Sequence, residues 1–201
     1  MHPQQLALIL IDIQRDFWQP LKAEPEAAAF PSNVAALLRS ARATGLTIVH
    51  TQALFRSDRS DWMLFYRPQG RGSVPCRAGS DGVQFEEFAA PQPGECVIQK
   101  QAFDGFVNTE LERMLRERGI KAVLLAGLET SVCVLFTATS AYLRRIVPLV
   151  VADACGDERE RHAATLRMYD GLCFQTVTTA QAQGDYREVL RAAEPFVDGL
   201  S

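Results

Sequence analysis

The sequence predicts an α/β fold: a three-layer α-β-α arrangement built on a doubly wound, mostly parallel sheet of about six strands. Two observations predict it. Short apolar runs alternate with amphipathic helical segments through almost all of the 201 residues, the pattern of successive β-α units with helices on both faces of a sheet. The apolar runs are also continuous rather than alternating, as expected of strands buried on both faces. No internal repeat or domain boundary is visible, so a single domain over residues 1–201 is expected.

Leu6-Ala7-Leu8-Ile9-Leu10-Ile11 reads as the first strand, and Asp12 follows it directly. Pro20–Pro31 reads as a surface connection. Ser32 or Asn33 can cap a helix to about Thr44, with Val34, Leu37, Leu38 and Ala41 on one face and Gly45 as the stop. Leu46–Thr51 is the second strand. Gln52 to about Glu95 is long and irregular, yet its Trp62, Phe65 and Tyr66 argue against disorder. It reads as a lid or one wall of a pocket, with Arg56 and Arg59 as candidate clamps for a carboxylate or carbonyl. Cys96–Lys100 is a short strand. A helix capped by Asn108 or Thr109 runs to Arg118, and Ala122–Ala126 is a fourth, buried strand ending at Gly127. After the turn Leu128-Glu129-Thr130-Ser131, a helix opens at Val132-Cys133-Val134 and continues to about Leu143. Ile146–Val151 is the next strand, in which Pro148 predicts a bulge or a missing ladder bond. A helix over Glu158–Tyr169, a strand over Phe174–Val177 and a helix over Thr179–Phe196 complete the chain.

Composition narrows the function. The chain is 47% hydrophobic and 22% charged, with a formal net charge of −3, as in ordinary soluble globular proteins. It has no basic stripe, so nucleic acid is not an expected partner. Its apolar stretches are too short or too interrupted to cross a bilayer, so no membrane is expected either. The five cysteines, Cys76, Cys96, Cys133, Cys155 and Cys173, form no C-x-x-C pair and suit neither a disulfide framework nor a thiolate zinc site. With no signal peptide at Met1–Gln5, a cytoplasmic location is expected.

Three polar residues fall at the C-terminal ends of strands: Asp12, Lys100 and Cys133. A parallel sheet gathers those ends on one edge, where ligands of open α/β sheets bind. Cys133 lies at a helix start, where unpaired N–H groups and the helix dipole favour a thiolate and can hold an oxyanion. Asp12 can take the thiol proton and return it to a leaving amine, and Lys100 can orient the carboxylate. This chemistry is acyl transfer through a thioester. Each of the three is also compatible with a turn former, an exposed lysine or a small buried hydrophobe. A non-catalytic ligand-binding or redox protein of the same architecture is therefore an alternative. A dinucleotide-binding domain is disfavoured, because no glycine-rich phosphate loop follows the first strand. Gln14, Phe17, Trp18, Phe103 and Phe106 are candidate pocket residues by position. His50 is a candidate substrate contact or a hydrogen-bonded sheet histidine, and His162 reads as structural.

The segments Leu10-Ile11-Asp12-Ile13-Gln14-Arg15-Asp16-Phe17, Lys100 with Phe103, Gly127-Leu128-Glu129-Thr130-Ser131-Val132-Cys133-Val134 and Asp153-Ala154 together resemble the isochorismatase-like cysteine hydrolase superfamily. The likeness extends from the first strand to about Thr179. It implies the Rossmann-like fold of that superfamily, with Asp12 as general base, Lys100 as its ionic partner and Cys133 as nucleophile. It further implies a cis peptide between Leu128 and Glu129, and the N–H groups of Glu129 and Cys133 as an oxyanion hole. The activities it suggests are hydrolysis of a C–N bond in a small amide, carbamoyl or ureido compound, or alternatively isochorismatase-type cleavage of an enol ether with Asp12 as acid. Homo-oligomers are common in the superfamily, so a homodimer or larger assembly is expected. Nicotinamidases of this superfamily hold a metal with an Asp-x-His pair and a further His after strand two. This chain reads His50-Thr51-Gln52-Ala53-Leu54-Phe55-Arg56 there, so neither a metal nor another cofactor is expected. Glu129 is a less usual residue in the nucleophile turn. Facing the cleft, it would repel an anionic substrate or bind an amine.

Overall fold

The computed structural model describes residues 3–67, 73–183, 189 and 191. Its centre is β1 (Leu6–Ile11), buried along its whole length. β1 pairs in parallel with β2 (Thr47–Ala53) on one side and with β4 (Ala122–Leu128) on the other. β3 (Cys96–Lys100) lies outside β2, while β5 (Val147–Gly156) and β6 (Gln175–Val177) lie outside β4. The order is β3-β2-β1-β4-β5-β6, and every pairing is parallel. The chain winds outward from β1 to β3, then returns to β4 and winds the other way. The C-terminal ends of β1 and β4 therefore flank the point where the winding reverses, which opens a crevice.

The continuous apolar runs supply two cores at once, because successive side chains of a strand point to opposite faces. Leu6, Leu8 and Leu10 face Val34, Leu37, Leu38 and Ala41 of α2 (Phe30–Ala43). Ala7, Ile9 and Ile11 face Leu111, Met114 and Leu115 of α3 (Leu111–Glu117) and Ala138 and Ala141 of α4 (Leu135–Leu143). The short α1 (Arg15–Trp18) follows β1, and α5 (Arg159–Tyr169) and α6 (Thr179–Gln183) complete the helical layers. The helix expected to reach Phe196 is described only to Gln183, and its remainder lies outside the described residues apart from positions 189 and 191, as do His2 and Arg71. Among the described residues no helix is long and apolar enough to cross a membrane.

Three local expectations are corrected. α2 starts at Phe30 rather than at a Ser32 or Asn33 cap. Phe30 packs on Trp18 and Phe88, and Asn33 donates instead to the Asp153 carbonyl at 2.7 Å. α3 starts at Leu111: Asn108 takes φ +55° and does not cap it, whereas Thr109, the other residue expected there, accepts from the Leu111 N–H through Oγ1 at 3.3 Å. Pro148 stays in register with Val123, and β5 bulges after Val150: it advances five positions, from Val150 to Cys155, where β4 advances two, from Leu125 to Gly127. The bulge carries β5 on to Gly156, which pairs with Leu128. Asp157 is thereby brought beneath the turn that follows β4.

The long segment after β2 is exposed at Arg56–Ser60 but packs inward at other points. Phe55, Trp62, Val74 and Cys76, all buried, form a small core of their own with Ala53. Trp62 donates through Nε1 to the Arg56 carbonyl at 2.7 Å. Near the far end of the segment, burial works against ionisation of Glu95, but Arg42, the Gln92 N–H and His50 outweigh it and hold its carboxyl down to about 2. Arg42 makes a two-pronged contact at 2.7 and 3.0 Å, and His50 Nε2 lies 2.8 Å away.

Two outcomes follow from these contacts. A Cβ on Gly127, at φ +133°, would lie 2.1 Å from the Ile11 carbonyl oxygen. Gly127→Ala is expected to cost about 3 kcal/mol or more, read as a lower urea midpoint. The Glu95 carboxyl titrates lower folded than unfolded, so its stabilisation is complete above the ordinary carboxylate range and is lost as pH falls toward about 2. Glu95→Gln is expected to be less stable than the parent near neutrality, and the gap is expected to close as denaturation is repeated in acid.

Candidate active site

Asp12 takes φ +50° immediately after β1. Its N–H donates to Thr51 Oγ1 at 3.2 Å, and the Thr51 hydroxyl donates back to Asp12 Oδ1 at 2.8 Å. The other carboxylate oxygen, Oδ2, pairs with Lys100 Nζ at 2.6 Å. Lys100 is the last residue of β3 and is 1% exposed, while Asp12 is 0% exposed. The ammonium also donates to the carbonyls of Ala102 (2.7 Å) and Phe103 (3.2 Å), and lies 3.5 Å from Cys133 Sγ. Burial opposes the lysine charge, but Asp12 and Cys133 outweigh it, and proton affinity ends above the ordinary value. The sheet edge thus joins Asp12, Lys100 and Cys133 in one contact chain.

Cys133 enters from the turn after β4. The Leu128–Glu129 peptide is cis. Thr130–Val134 then forms a π-helical turn before α4, a wider winding often found at functional sites. The turn is held from three sides. The Glu129 carbonyl accepts from Val132 and Val134, each at 3.1 Å. Asp157 Oδ2 accepts from the Ser131 N–H at 2.7 Å. Thr130 Oγ1 is hydrogen-bonded to His162 Nδ1 of α5 at 2.9 Å. Asp157 and Thr51 support the site without being singled out by the sequence, and His162, which reads as structural, supports it too. Asp157 had a legible signal, an acid just before a helix. The other two act across 32 and 39 positions, which no local pattern reveals.

The expected thiolate is corrected. Burial pushes the Cys133 thiol well up, Lys100 pulls it down and Asp12 pushes it up again, leaving it protonated. The helix start does not prevail, because removing the sulfur from water penalises the charged form more. Tyr66, lining the same space, is also pushed up, first by burial and then by the nearby Cys133 and Glu129.

The cleft above the thiol has a volume of about 510 Å³. Asp12, Lys100 and Cys133 form its base, and the rings of Phe17, Phe55, Phe65, Tyr66, Phe103 and Phe136 line it, with Glu129 and Arg161. Phe17 and Phe103 are therefore where the sequence suggested. Six other candidates are not. Gln14 is fully buried below the cleft, where its amide bonds Ala53 N, Ala53 O and Val83 O at 2.8, 2.9 and 2.9 Å. Trp18 stacks on Phe30 in the α2 core. Arg56 is exposed outside the cleft, and Arg59 lies over the Trp62 ring. Phe106 packs inward under Arg144. His50 is tied to Glu95, away from the cleft. Among the described residues no three His, Cys, Asp or Glu side chains are grouped to hold a metal.

These surroundings predict a silent titration. The ultraviolet thiolate signal of the protein minus that of Cys133→Ser is expected to stay flat from about pH 6 to about pH 9, beyond the ordinary thiol value of about 8.5. A step within that interval would show that burial is not the dominant influence.

Comparison with known proteins agrees with the fold. The isochorismatase domain model matches residues 6–182. An uncharacterized isochorismatase family protein of Bacillus subtilis, YddQ, is 33% identical over 152 residues, covering 74% of this chain and 76% of that one. The ureidoacrylate amidohydrolase RutB of an Enterobacter species is 28% identical over 174 residues, covering 76% and 75%. Among solved structures, an isochorismatase family protein from Desulfovibrio vulgaris superposes with a TM-score of 0.79 at 28% identity, covering 93% of this chain and 98% of that one. The N-carbamoylsarcosine amidase of Thermoplasma acidophilum gives 0.71 at 27% identity, covering 87% and 96%. With its parallel six-stranded sheet and a domain match across nearly its whole length, the chain belongs to the isochorismatase family of hydrolases.

Proposed function

We propose that this hydrolase cleaves the C–N bond of a small amide, carbamoyl or ureido compound, with Cys133 as nucleophile. The observation that carries the reading is the buried chain Asp12 Oδ2–Lys100 Nζ–Cys133 Sγ, with contacts of 2.6 and 3.5 Å. Its likeness to an amidohydrolase and an amidase supports the bond type. Asp12 takes the thiol proton as sulfur attacks the carbonyl carbon. The C–S bond forms, and the carbonyl electrons move to oxygen, toward the N–H groups of Glu129 and Cys133. On collapse the C–N bond breaks, and Asp12 returns the proton to the departing nitrogen. Water then attacks the thioester. Asp12 takes one of its protons and hands it to sulfur as the C–S bond breaks, releasing the acid and restoring the thiol. Lys100 remains charged throughout and fixes the carboxylate. These steps use no cofactor.

Turnover of a mixed amide and enol-ether library decides between bond types. Cys133→Ala and Asp12→Asn are each expected to lower kcat about 10³-fold or more on an amide. Turnover that survives Cys133→Ala but not Asp12→Asn would replace the thioester route with enol-ether cleavage using Asp12 as acid.

A further inference from the structure

We propose that Glu129 is the anchor for a cationic group of the substrate, so that the cleft takes amides or ureides bearing an ammonium or guanidinium and turns carboxylates away; this rests on the hydrolase reading above. Glu129 lines the cleft four positions before the nucleophile and is half-buried. Its carboxylate makes no hydrogen bond or ion pair among the described residues. The neighbouring acids differ. Asp12 is held by Thr51 and Lys100, Asp16 by the Cys76 N–H at 2.7 Å, and Asp157 by the Ser131 and Glu158 N–H groups at 2.7 and 2.8 Å. A carboxylate drawn out of water without a partner is costly. Burial, then Asp157, push the Glu129 carboxyl up, and the charge of Arg161 pulls it only part of the way back, so an arriving positive charge would offset what remains.

The walls suit the same group. Five rings form a continuous arc of contacts: Phe55 to Tyr66 (5.5 Å), Tyr66 to Phe65 (5.1 Å), Phe65 to Phe103 (6.0 Å) and Phe103 to Phe136 (5.8 Å). Aromatic faces attract cations, more strongly where water is excluded. The cleft offers little to a carboxylate in return. The charge of Lys100 is met by Asp12 and two carbonyls. Arg161, the other cation lining the cleft among the described residues, is exposed and paired with Glu158 at 3.3 Å.

Three primary amides of matched length test this: ε-aminocaproamide, caproamide and adipic monoamide. The protein is expected to show a kcat/KM at least about ten-fold higher for the ammonium compound than for the neutral one, with the carboxylate poorest. Glu129→Gln, which keeps the backbone N–H, is expected to bring the ammonium-to-neutral ratio toward one, mainly through KM. Binding of the same three compounds to Cys133→Ala by calorimetry separates recognition from chemistry. Tighter binding of the ammonium compound, lost on adding Glu129→Gln, supports the anchor even if no amide is hydrolysed, in which case only the hydrolase reading falls. Equal binding of all three, or an order that Glu129→Gln leaves unchanged, overturns the anchor even if amides turn over.

Discussion

The pairing of Asp12 with Lys100 is the constraint on which the rest of the site depends. Two charges with almost no exposure carry a desolvation cost of several kcal/mol each, which their attraction offsets only when the geometry is good and the remaining donors and acceptors are met. Here the Thr51 hydroxyl meets one carboxylate oxygen, and the carbonyls of Ala102 and Phe103 meet the ammonium. The arrangement reaches beyond the pair. It spans the sheet edge from β1 to β3 across β2, and it turns the chain after β3 back over the cleft. The same ammonium that faces the sulfur therefore also fixes Phe103, a member of the aromatic arc. A little further on, the Gly105 N–H donates to Thr137 of α4 at 2.9 Å, which ties this loop to the helix that carries on from Cys133.

Within that frame the sulfur is subject to opposed influences. The lysine favours its charged form, while burial and the aspartate favour the thiol. A resting thiol beside a carboxylate suits the proposed role of a nucleophile that is uncovered only by its substrate. It is also less open to oxidation than a free thiolate, since oxidation follows thiolate character and exposure. Selectivity for reaction then depends on the acceptor's arrival rather than on a permanently activated sulfur.

The central features of the fold were legible because each has a local cause. The run Leu6–Ile11 can only be a strand buried on two faces, and a strand so buried in a wound sheet places Asp12 at the ligand-binding edge. The same reasoning located Lys100 and Cys133. What escaped was set by contacts between distant positions. Trp18 looked like a pocket residue from its place beside Asp12, but Phe30 and Phe88 draw it into the α2 core. Gln14 looked accessible, but its amide closes unmet backbone groups of Ala53 and Val83. The thiolate expectation weighed the helix start and overlooked the dry surroundings, which only packing reveals. Glu129 was noticed as unusual, but whether it faced the cleft depended on how the turn over β4 was wound.

The small core of Phe55, Trp62, Val74 and Cys76 separates the segment forming one wall of the cleft from the two cores that flank the sheet. Its packing is largely its own, with Phe17 as a shared member of the neighbouring cluster. The protein is thus modular in an evolutionary sense. Substitutions in this small core act first on the wall that it supports. A lineage can change what the cleft admits while retaining the residues at the strand ends, which is one physical route by which a single scaffold comes to serve many substrates.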